Sequence, residues 1–367
     1  MPTAFVKTST QFIKEYFIKE FEGDISLIDN NPYGFFFVEV ICPDNLHKPI
    51  LPLRFDTGDG VRSLYPTGTW CGWYHSEELK NALSYGYTYK IIRGYIFNKQ
   101  HVFIDYLDNL FNIKKNHEKN DPLYLIAKLL MNSLYGRFGM SVMTNNQLII
   151  DEKNLHLWQN KGIIKEHIQL NEEKSFIIFE DPELSEQQFY NNLTNQTINN
   201  KHNISIPIAA AITANARIFM SKFKNNPNII LMYTDTDSLF TQNELPKELI
   251  GTKLGQFKLE QIYKEIVFLA PKVYGGITSN NKETSVIKGY KNHVSFKKFK
   301  SLLKQNKSLE LNHDKWFKNF IDGKITIKNQ MYNLKINSNK RKLIYNQTTK
   351  KLTGTKPYKI LFDKIVD

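Results

Sequence analysis

The chain has 367 residues, of which 41% are hydrophobic and 13% aromatic, and its formal net charge is +13. This composition supports one large domain or two to three modest ones and argues against a disordered chain. No apolar run reaches the roughly 18 residues of a membrane span, the N-terminus lacks the features of a signal or transit peptide, and two cysteines cannot build a disulfide framework or a Cys-rich zinc site. We therefore expect no membrane partner and a protein that works in the compartment where it is made.

The positive charge is concentrated in the C-terminal third. From Gly255 onwards there are 24 Lys and Arg against 8 Asp and Glu, whereas the first 254 residues hold 25 against 28. Such a basic region favours an anionic partner, most commonly nucleic acid, because each phosphate contact releases counterions. A solvated surface in a Lys- and Asn-rich protein explains the same charge, so composition leaves both interpretations open.

The first hundred residues alternate between strand and helix signals. The run GFFFVEVICP (34–43) predicts a strand that a proline closes. Further strand signals lie at 49–54, 68–74 and 87–97. Ser76 is a candidate N-cap for a helix that ends near Gly86, and FIDYLDNLFNIKK (103–115) predicts an amphipathic helix.

The middle of the chain contains an insertion and then a buried element. Residues 141–203 are polar and contain three short strand signals (QLIID, GIIKEHIQL and KSFIIFE) together with an Asn/Gln-rich loop. The apolar segment 206–223 predicts a buried helix. The run NIILMYTDTDSLFTQ (228–242) then predicts a strand, a tight turn and a second strand.

The first motif with chemical potential is KLLMNSLYG, on a helix that Asp121 caps and Pro122 opens and that runs to about Gly136. At helical spacing Lys128, Asn132 and Tyr135 share one face, which suits a nucleoside triphosphate: the cation against phosphates and the ring against the base pair. The alternative is a solvated lysine beside a satisfied asparagine. The apolar positions expected to point into the core are Leu123, Ile126, Leu130 and Leu134.

The second motif is YTDTDS (233–238), which places Asp235 and Asp237 at the tip of a hairpin. Burying two carboxylates beside an apolar strand is costly without a cation. Two divalent ions about 4 Å apart would balance the charge and clamp an in-line phosphoryl transfer. Mg²⁺ suits such a site because it shares its coordination with substrate phosphates and water, and Mn²⁺ is a substitute. The alternative is a solvent-exposed turn, which Asp and Thr both favour.

Together the motifs resemble those of family B DNA polymerases. KLLMNSLYGRFG looks like the fingers-helix motif, YTDTDS looks like the palm hairpin, and Lys272-Val-Tyr274 in APKVYGG is similar to the Lys-X-Tyr motif at the primer terminus. LGQFKLE (254–260) sits where these enzymes carry a similar strand. The greatest similarity is to the protein-primed branch of small phages and of linear plasmids in fungal and plant mitochondria, and it extends from about Gly34 to Val294.

The resemblance implies an α+β fold: a right-hand polymerase palm built on an antiparallel sheet, with fingers helices, insertions and a C-terminal thumb. We expect no exonuclease domain in these residues, because no Asp-X-Glu metal triad lies ahead of the palm. The implied divisions are a palm part with a terminal-protein-contacting insertion at 1–115, a fingers helix region at 116–140, an insertion for processivity and strand displacement at 141–203, a palm with the catalytic hairpin and primer-binding strand at 204–294, and a basic thumb at 295–367.

It also implies residue roles and partners. The implied site residues are Asp235 and Asp237 as catalytic and metal-binding carboxylates, Lys128, Asn132, Tyr135 and Gly136 at the nucleotide, and Tyr233, Thr234, Ser238, Lys272 and Tyr274 at the primer and DNA. The implied partners are primer–template DNA, deoxynucleoside triphosphates, a terminal protein that primes synthesis and an upstream polymerase fragment. The implied location is the mitochondrion with the gene inside the organelle, or else a phage or a cytoplasmic linear plasmid.

The run FDTGDGVRSLYPT (55–67) contains SLYP, which stands beside a metal-binding aspartate in the first palm motif of these polymerases. The aspartate should lie three residues before Ser63, where this chain has Gly60, and Asp59 stands one residue too early. In one interpretation this is the palm motif with its aspartate lost. In the other it is a later segment that shares the letters. The strand-like GTWCGWY that follows favours the second, because the palm motif starts a helix there.

On that second interpretation we expect the chain to begin just after the missing palm aspartate, so that the isolated chain is an incomplete or inactive polymerase. A non-catalytic nucleic-acid-binding remnant is the main alternative. A reverse transcriptase fits less well, because its palm turn has adjacent aspartates and here Thr236 separates them. If the site is complete within these residues, Asp59 or Asp56 becomes the candidate for the missing ligand.

Overall fold

A computed structural model provides the fold and describes residues 9–10, 17–22, 32–58, 60–140, 146–180, 205–319, 324–362 and 364–366. The helices of these residues are α1 (Ser76–Leu83), α2 (Ile104–Asn116), α3 (Pro122–Phe138), α4 (Leu155–Lys161), α5 (Ile206–Lys224) and α6 (Phe296–Ser301). None of them is long and apolar enough to cross a membrane.

Strands outnumber helices and lie throughout the described ranges. In chain order they are β1 (Ser9–Thr10), β2 (Phe17–Glu22), β3 (Gly34–Cys42), β4 (Leu53–Asp56), β5 (Val61–Leu64), β6 (Thr67–His75), β7 (Thr88–Phe97), β8 (Lys99–Gln100), β9 (Asn146–Asp151), β10 (Ile163–Gln169), β11 (Lys174–Glu180), β12 (Leu231–Asp235), β13 (Ser238–Thr241), β14 (Tyr263–Ala270), β15 (Val273–Thr278), β16 (Glu283–Ile287), β17 (Ser308–Asn319), β18 (Lys324–Lys335), β19 (Lys342–Tyr345), β20 (Leu352–Lys356), β21 (Lys359–Leu361) and β22 (Lys364–Val366).

The chain divides into two compact units. The first comprises Met1–Tyr135, Pro207–Glu310 and Asn333–Asp367, and the second comprises Gly136–Ile206 and Leu311–Tyr332. The domain boundaries implied by the resemblance stay a prediction. Within 295–367, most of the β17–β18 hairpin belongs to the second unit, whereas β21 and β22 belong to the first.

A six-stranded sheet organises the first unit, in the order β2-β7-β3-β6-β21-β22. Its strands pair antiparallel except that β21 runs parallel to β6. The alternation in GFFFVEVIC explains β3, because Phe36, Val38 and Val40 are fully buried while the intervening side chains are only partly covered or exposed. Gly68 allows the close approach of β21: its φ is +96°, and a Cβ there would collide with the carbonyl oxygen of Ile360.

Helix α1 packs against the sheet and is joined to α5 by a buried ion pair. Arg217 on α5 donates two hydrogen bonds to the Glu78 carboxylate, at 2.5 and 2.8 Å, and the Glu78 side chain is only 2% exposed. Beside this pair, Asn81 Nδ2 and Tyr85 Oη both donate to Ser221 Oγ. These contacts hold the helix that precedes the β12–β13 hairpin against the N-terminal part of the chain.

A buried histidine ends β6. His75 is 1% exposed and packs against the rings of Tyr33 and Phe35, and among the described residues neither of its ring nitrogens has a hydrogen-bond partner. Burial lowers the pKa of His75 to about 4, because the charged imidazolium is poorly solvated there.

Because His75 is buried, we expect the fold to lose stability at acidic pH. The unfolded chain takes up the proton near its ordinary pKa of 6.5 and the folded chain only near 4, so stability falls as the pH falls through this window, by about 3 kcal/mol in total. His75→Phe keeps an aromatic ring in the pocket and should flatten this part of the pH dependence. Urea denaturation of both proteins between pH 7 and pH 4 measures the difference. Parallel curves would show that His75 contributes nothing to the acid sensitivity.

The second unit has a small core of its own. Strands β10, β11 and β9 form an antiparallel sheet in that order, and Ile150, Ile177 and Phe179 are buried on one side of it. The Trp158 ring, on α4, contacts Phe179 at 5.2 Å between centroids. The three strands were predicted from the sequence and are confirmed, whereas α4 was not predicted. The expected Asn/Gln-rich loop lies largely outside the described residues.

Most predicted elements of the first unit are confirmed, with three corrections. The helix α1 begins at Ser76 with His75 at the cap position, and Ser76 Oγ instead accepts a hydrogen bond from Gly34 N. The strand signal at 49–54 becomes a strand only from Leu53. On α3 the predicted core positions are wrong. Leu123, Ile126 and Leu130 are 49%, 52% and 40% exposed and Leu134 is only partly buried, while the buried residues are Ala127 and Met131.

Candidate active site

The two aspartates lie at the tip of a hairpin, as the sequence predicted. Strand β12 ends at Asp235 and β13 begins at Ser238, and these two residues pair across the turn. Ser238 Oγ donates to the Asp235 carbonyl oxygen at 3.0 Å, and Thr236 Oγ1 donates to Asp235 Oδ1 at 3.2 Å. Thr236 has a φ of 55°, a left-handed conformation that is rare for a β-branched residue. Such an outlier is typical of functional turns, where surrounding contacts hold the backbone in place.

A cluster of aromatic rings fixes the hairpin on the neighbouring sheet β14–β15–β16. Tyr233 stacks on Phe268 of β14, with centroids 4.8 Å apart and an interplanar angle of 12°. Phe240 of β13 meets Phe268 and Tyr274 edge-on, at 5.2 Å in each case. Rings of this size bury large areas and resist sliding. The cluster therefore determines where the aspartate turn lies relative to the sheet.

Lys272 approaches the aspartate turn from this sheet. It sits in the turn between β14 and β15 with a φ of 60°, and its backbone N–H donates to Tyr233 Oη at 2.8 Å. Its Nζ lies 2.5 Å from Asp235 Oδ2. The hydrogen bond to Asp235 raises the pKa of Lys272, with a further contribution from the charge of Asp237. The structure thus brings Lys272 of the Lys-X-Tyr motif together with Tyr233 and Asp235 of the YTDTDS motif.

The other predicted primer-side residues have local roles in the structure. Ser238 forms part of the turn itself. Thr234 pairs with Leu239 in the hairpin ladder. Burial raises the pKa of both Tyr233 and Tyr274, because these phenols are partly enclosed by the ring cluster. Their assignment to primer and DNA stays a prediction.

The candidate nucleotide face lies on α3. Asp121 caps this helix as predicted, since its Oδ1 accepts from Leu123 N at 2.8 Å. Lys128 and Asn132 are exposed and Tyr135 is half-buried, and their spacing puts all three on one side of the helix. Gly136 follows, and a Cβ at that position would meet no described atom within 4 Å. The face is accessible, and nucleotide binding there stays a prediction.

The SLYP run ends one strand and leads directly into the next, and it does not start a helix. Ser63 and Leu64 end β5, and β6 begins at Thr67. This agrees with the interpretation that the run is not the first palm motif. Asp56 ends β4 in the hairpin with β5, and its Oδ1 accepts from Gly58 N. Asp59 lies outside the described residues.

The sequence analysis missed the residues that position this site. Phe240 and Phe268 complete the ring cluster, and Glu78 with Arg217 holds α5. One signal was visible in the sequence. Arg217 is the single arginine of α5 and lies in its largely apolar central part, where a buried arginine favours an anionic partner. Its partner is 139 residues away in the sequence, so the pattern could not name it.

The structure places a paired-carboxylate hairpin beside a Lys-X-Tyr turn on a mixed α/β scaffold. The family described as DNA polymerase type B, organellar and viral, matches residues 1–230. The chain belongs to this family.

Curated relatives agree with this assignment. The chain is 37% identical over 305 residues to a protein of Neurospora intermedia and 37% identical over 355 residues to one of Ascobolus immersus, both named "Probable DNA polymerase". These matches cover 81% and 94% of the chain but only 30% and 28% of the relatives. The DNA-directed DNA polymerase of Enterobacteria phage PRD1 is 25% identical over 194 residues, covering 52% of the chain and 32% of that protein. The chain spans less than a third of the length of these relatives.

Solved structures show the same fold. Phi29 DNA polymerase in an orthorhombic crystal form superimposes with a TM-score of 0.61 at 18% identity, covering 92% of this chain and 56% of that one. The phi29 ternary complex with primer–template DNA and incoming nucleotide gives 0.59 at 16% identity, covering 92% and 57%. The expected polymerase fold is therefore confirmed.

Proposed function

We propose that this chain carries the nucleotidyl-transfer site of a DNA-directed DNA polymerase that replicates linear DNA from a protein primer. The observation that carries the proposal is that Lys272, from the turn between β14 and β15, lies against the hairpin tip that holds Asp235 and Asp237, in a chain of the type B family. Two carboxylates on one turn could hold the cations that phosphoryl transfer needs, and the neighbouring ammonium group could bind a phosphate of the primer or of the triphosphate.

The donor set fits Mg²⁺, and Mn²⁺ in its place. Asp235 and Asp237 supply hard carboxylate oxygens, and Mg²⁺ commonly takes one or two carboxylates and completes its coordination with substrate phosphates and water. Within the described residues no three His, Cys, Asp or Glu side chains cluster as a metal cage. The two aspartates would hold the ions, and bound ions would stabilise charge on the attacking and leaving oxygens.

The remaining residues divide between nucleotide and primer. Lys128 would neutralise the triphosphate, while Asn132, Tyr135 and Gly136 would line the nascent base pair. Tyr233, Thr234 and Ser238 would border the primer end, which Lys272 and Tyr274 would hold. Lysines of the C-terminal third would contact phosphates without reading sequence. Support comes from the exposure of the α3 face and from the position of Lys272 beside the aspartate turn.

The partners follow from the same proposal. Primer–template DNA and deoxynucleoside triphosphates are the substrates, a terminal protein is the primer, and an upstream polymerase fragment would supply a further palm carboxylate. We propose a mitochondrial location with the gene inside the organelle, or else a phage or a cytoplasmic linear plasmid. The family description, organellar and viral, supports both settings.

A second candidate function is nucleic-acid binding without catalysis. The observation that favours it is that the described residues around the turn provide no cluster of three metal-ligating side chains. Primer extension by the purified chain with Mg²⁺ and dNTPs, beside salt-dependent binding of the same primer–template, separates the two functions. Mg²⁺-dependent extension supports the polymerase, whereas salt-sensitive binding without extension supports the binder.

The nucleotide face gives a more specific prediction. Lys128→Ala should lower kcat/KM for dNTP incorporation about 10- to 100-fold, because it removes one charge-assisted contact with phosphate. Primer–template affinity should stay unchanged. Lys119→Ala, an exposed lysine in the turn before α3, is the matched control. Equal kcat/KM values for the two variants would show that Lys128 does not contribute to nucleotide binding.

A further inference from the structure

Lys272 is held against Asp235 by its backbone as well as by its side chain. The backbone N–H binds the phenol oxygen of Tyr233, which is itself fixed on Phe268. The left-handed conformation of Lys272, with φ at 60°, then directs the side chain across to Asp235, where Nζ lies 2.5 Å from Oδ2. An ammonium group therefore occupies the position at which a carboxylate would receive a metal cation.

Both oxygens of this carboxylate already accept hydrogen bonds. Oδ2 accepts from Lys272 and Oδ1 accepts from Thr236 Oγ1 at 3.2 Å. Each oxygen keeps a second lone pair, but a divalent ion that binds Asp235 would be repelled by the Lys272 ammonium group, whose Nζ lies 2.5 Å from Oδ2. The Lys272 side chain is 56% exposed and that of Asp235 is 27% exposed. Such a pair contributes little to stability, so it can open without disturbing the fold.

We propose that the Lys272 ammonium group competes with divalent cations for the Asp235 carboxylate. When Lys272 binds an anionic phosphate instead, the Asp235 carboxylate becomes free to bind a cation. The proposal rests on the proposed function, in which the phosphate belongs to the primer end. The coupling is reciprocal by thermodynamic linkage: phosphate at Lys272 strengthens cation binding at Asp235, and a cation at Asp235 strengthens phosphate binding at Lys272. Couplings of this kind typically change affinity about 5- to 150-fold. The Lys272–Asp235 ion pair therefore disfavours cation binding at Asp235 until primer DNA is bound.

The first test measures Mn²⁺ binding to the whole chain without DNA or nucleotide, by the EPR signal of free Mn²⁺. Lys272→Met should bind Mn²⁺ at least about 5-fold more tightly than the wild type. Lys272→Asn is a second variant, because asparagine tolerates the left-handed backbone at this position. Lys264→Met is the matched control, since Lys264 lies on the same sheet and donates to the neutral amide of Asn281 at 2.5 Å. Its Mn²⁺ affinity should stay within about twofold of the wild type.

Adding Asp235→Asn to Lys272→Met locates the effect. The gain in Mn²⁺ affinity should disappear in the double variant, because the released carboxylate is the site of the gain. Unchanged or weaker Mn²⁺ binding in both Lys272 variants, with circular dichroism like that of the wild type, would overturn the proposal. The same holds for a gain that persists in the double variant.

The second test uses the reciprocal direction. Ca²⁺ should tighten binding of a fluorescent primer–template duplex to the wild type, measured by anisotropy, and should tighten it less for Lys272→Met. Equal Ca²⁺ effects on the two proteins would contradict the coupling. Neither test requires extension. A chain that does not extend primers can still show the competition, and an active polymerase without it would refute only this inference.

Discussion

Replacing Asp237 with asparagine is expected to reduce primer extension by this chain at least about 100-fold and to leave its affinity for primer–template DNA nearly unchanged. The substitution keeps the size and most of the hydrogen-bonding capacity of the side chain but removes the negative charge that would hold a divalent ion. Ion-mediated stabilisation of an in-line phosphoryl transfer is worth several kcal/mol, and each 1.36 kcal/mol is a factor of ten in rate.

The measurement is single-turnover extension of a labelled primer with Mg²⁺, alongside anisotropy of the same duplex at two salt concentrations. Asp314→Asn is the control, because this substitution changes the net charge by the same amount. Asp314 is an exposed aspartate on β17 that accepts a hydrogen bond from Asn329. Extension by Asp237→Asn at the wild-type rate would exclude this carboxylate from catalysis. No extension by any of the three proteins, with duplex binding intact, would identify the chain as a binder.

The second large effect concerns stability. Glu78→Ala is expected to destabilise the fold by about 3–5 kcal/mol, because it leaves the Arg217 guanidinium without its partner in a largely enclosed position. The loss should be visible as a lower urea midpoint of the first unit. The same change frees α5 from α1, so any extension activity should fall together with the stability.

The neighbouring residue provides a matched control. Glu77 lies on the same helix and pairs with Lys80 one turn away, with both side chains about 30% exposed. Glu77→Ala should therefore change the free energy of unfolding by less than about 1 kcal/mol. Equal midpoints for Glu77→Ala and Glu78→Ala would show that the buried pair does not hold the two helices together.

Several features of this protein were determined by the sequence alone because they depend on near neighbours. The alternation of β3, the Asp121 cap of α3 and the aspartate turn between β12 and β13 each involve residues within a few positions of one another. Local periodicity and turn chemistry specify such elements. The family motifs are equally local, so the sequence also predicted a type of chemistry and candidate residues for it.

The tertiary structure decided which side chains meet. Lys272 and Asp235 are 37 residues apart and Glu78 and Arg217 are 139 apart, and no periodicity encodes such distances. The same limit explains the error on α3. Its apolar residues surround the helix, so the packing around Ala127 and Met131 determined the buried side. The parallel pairing of β21 with β6 also joins distant segments. Local patterns determined many of the elements and predicted the candidate chemistry, whereas long-range packing determined the ion pairs beside the candidate site.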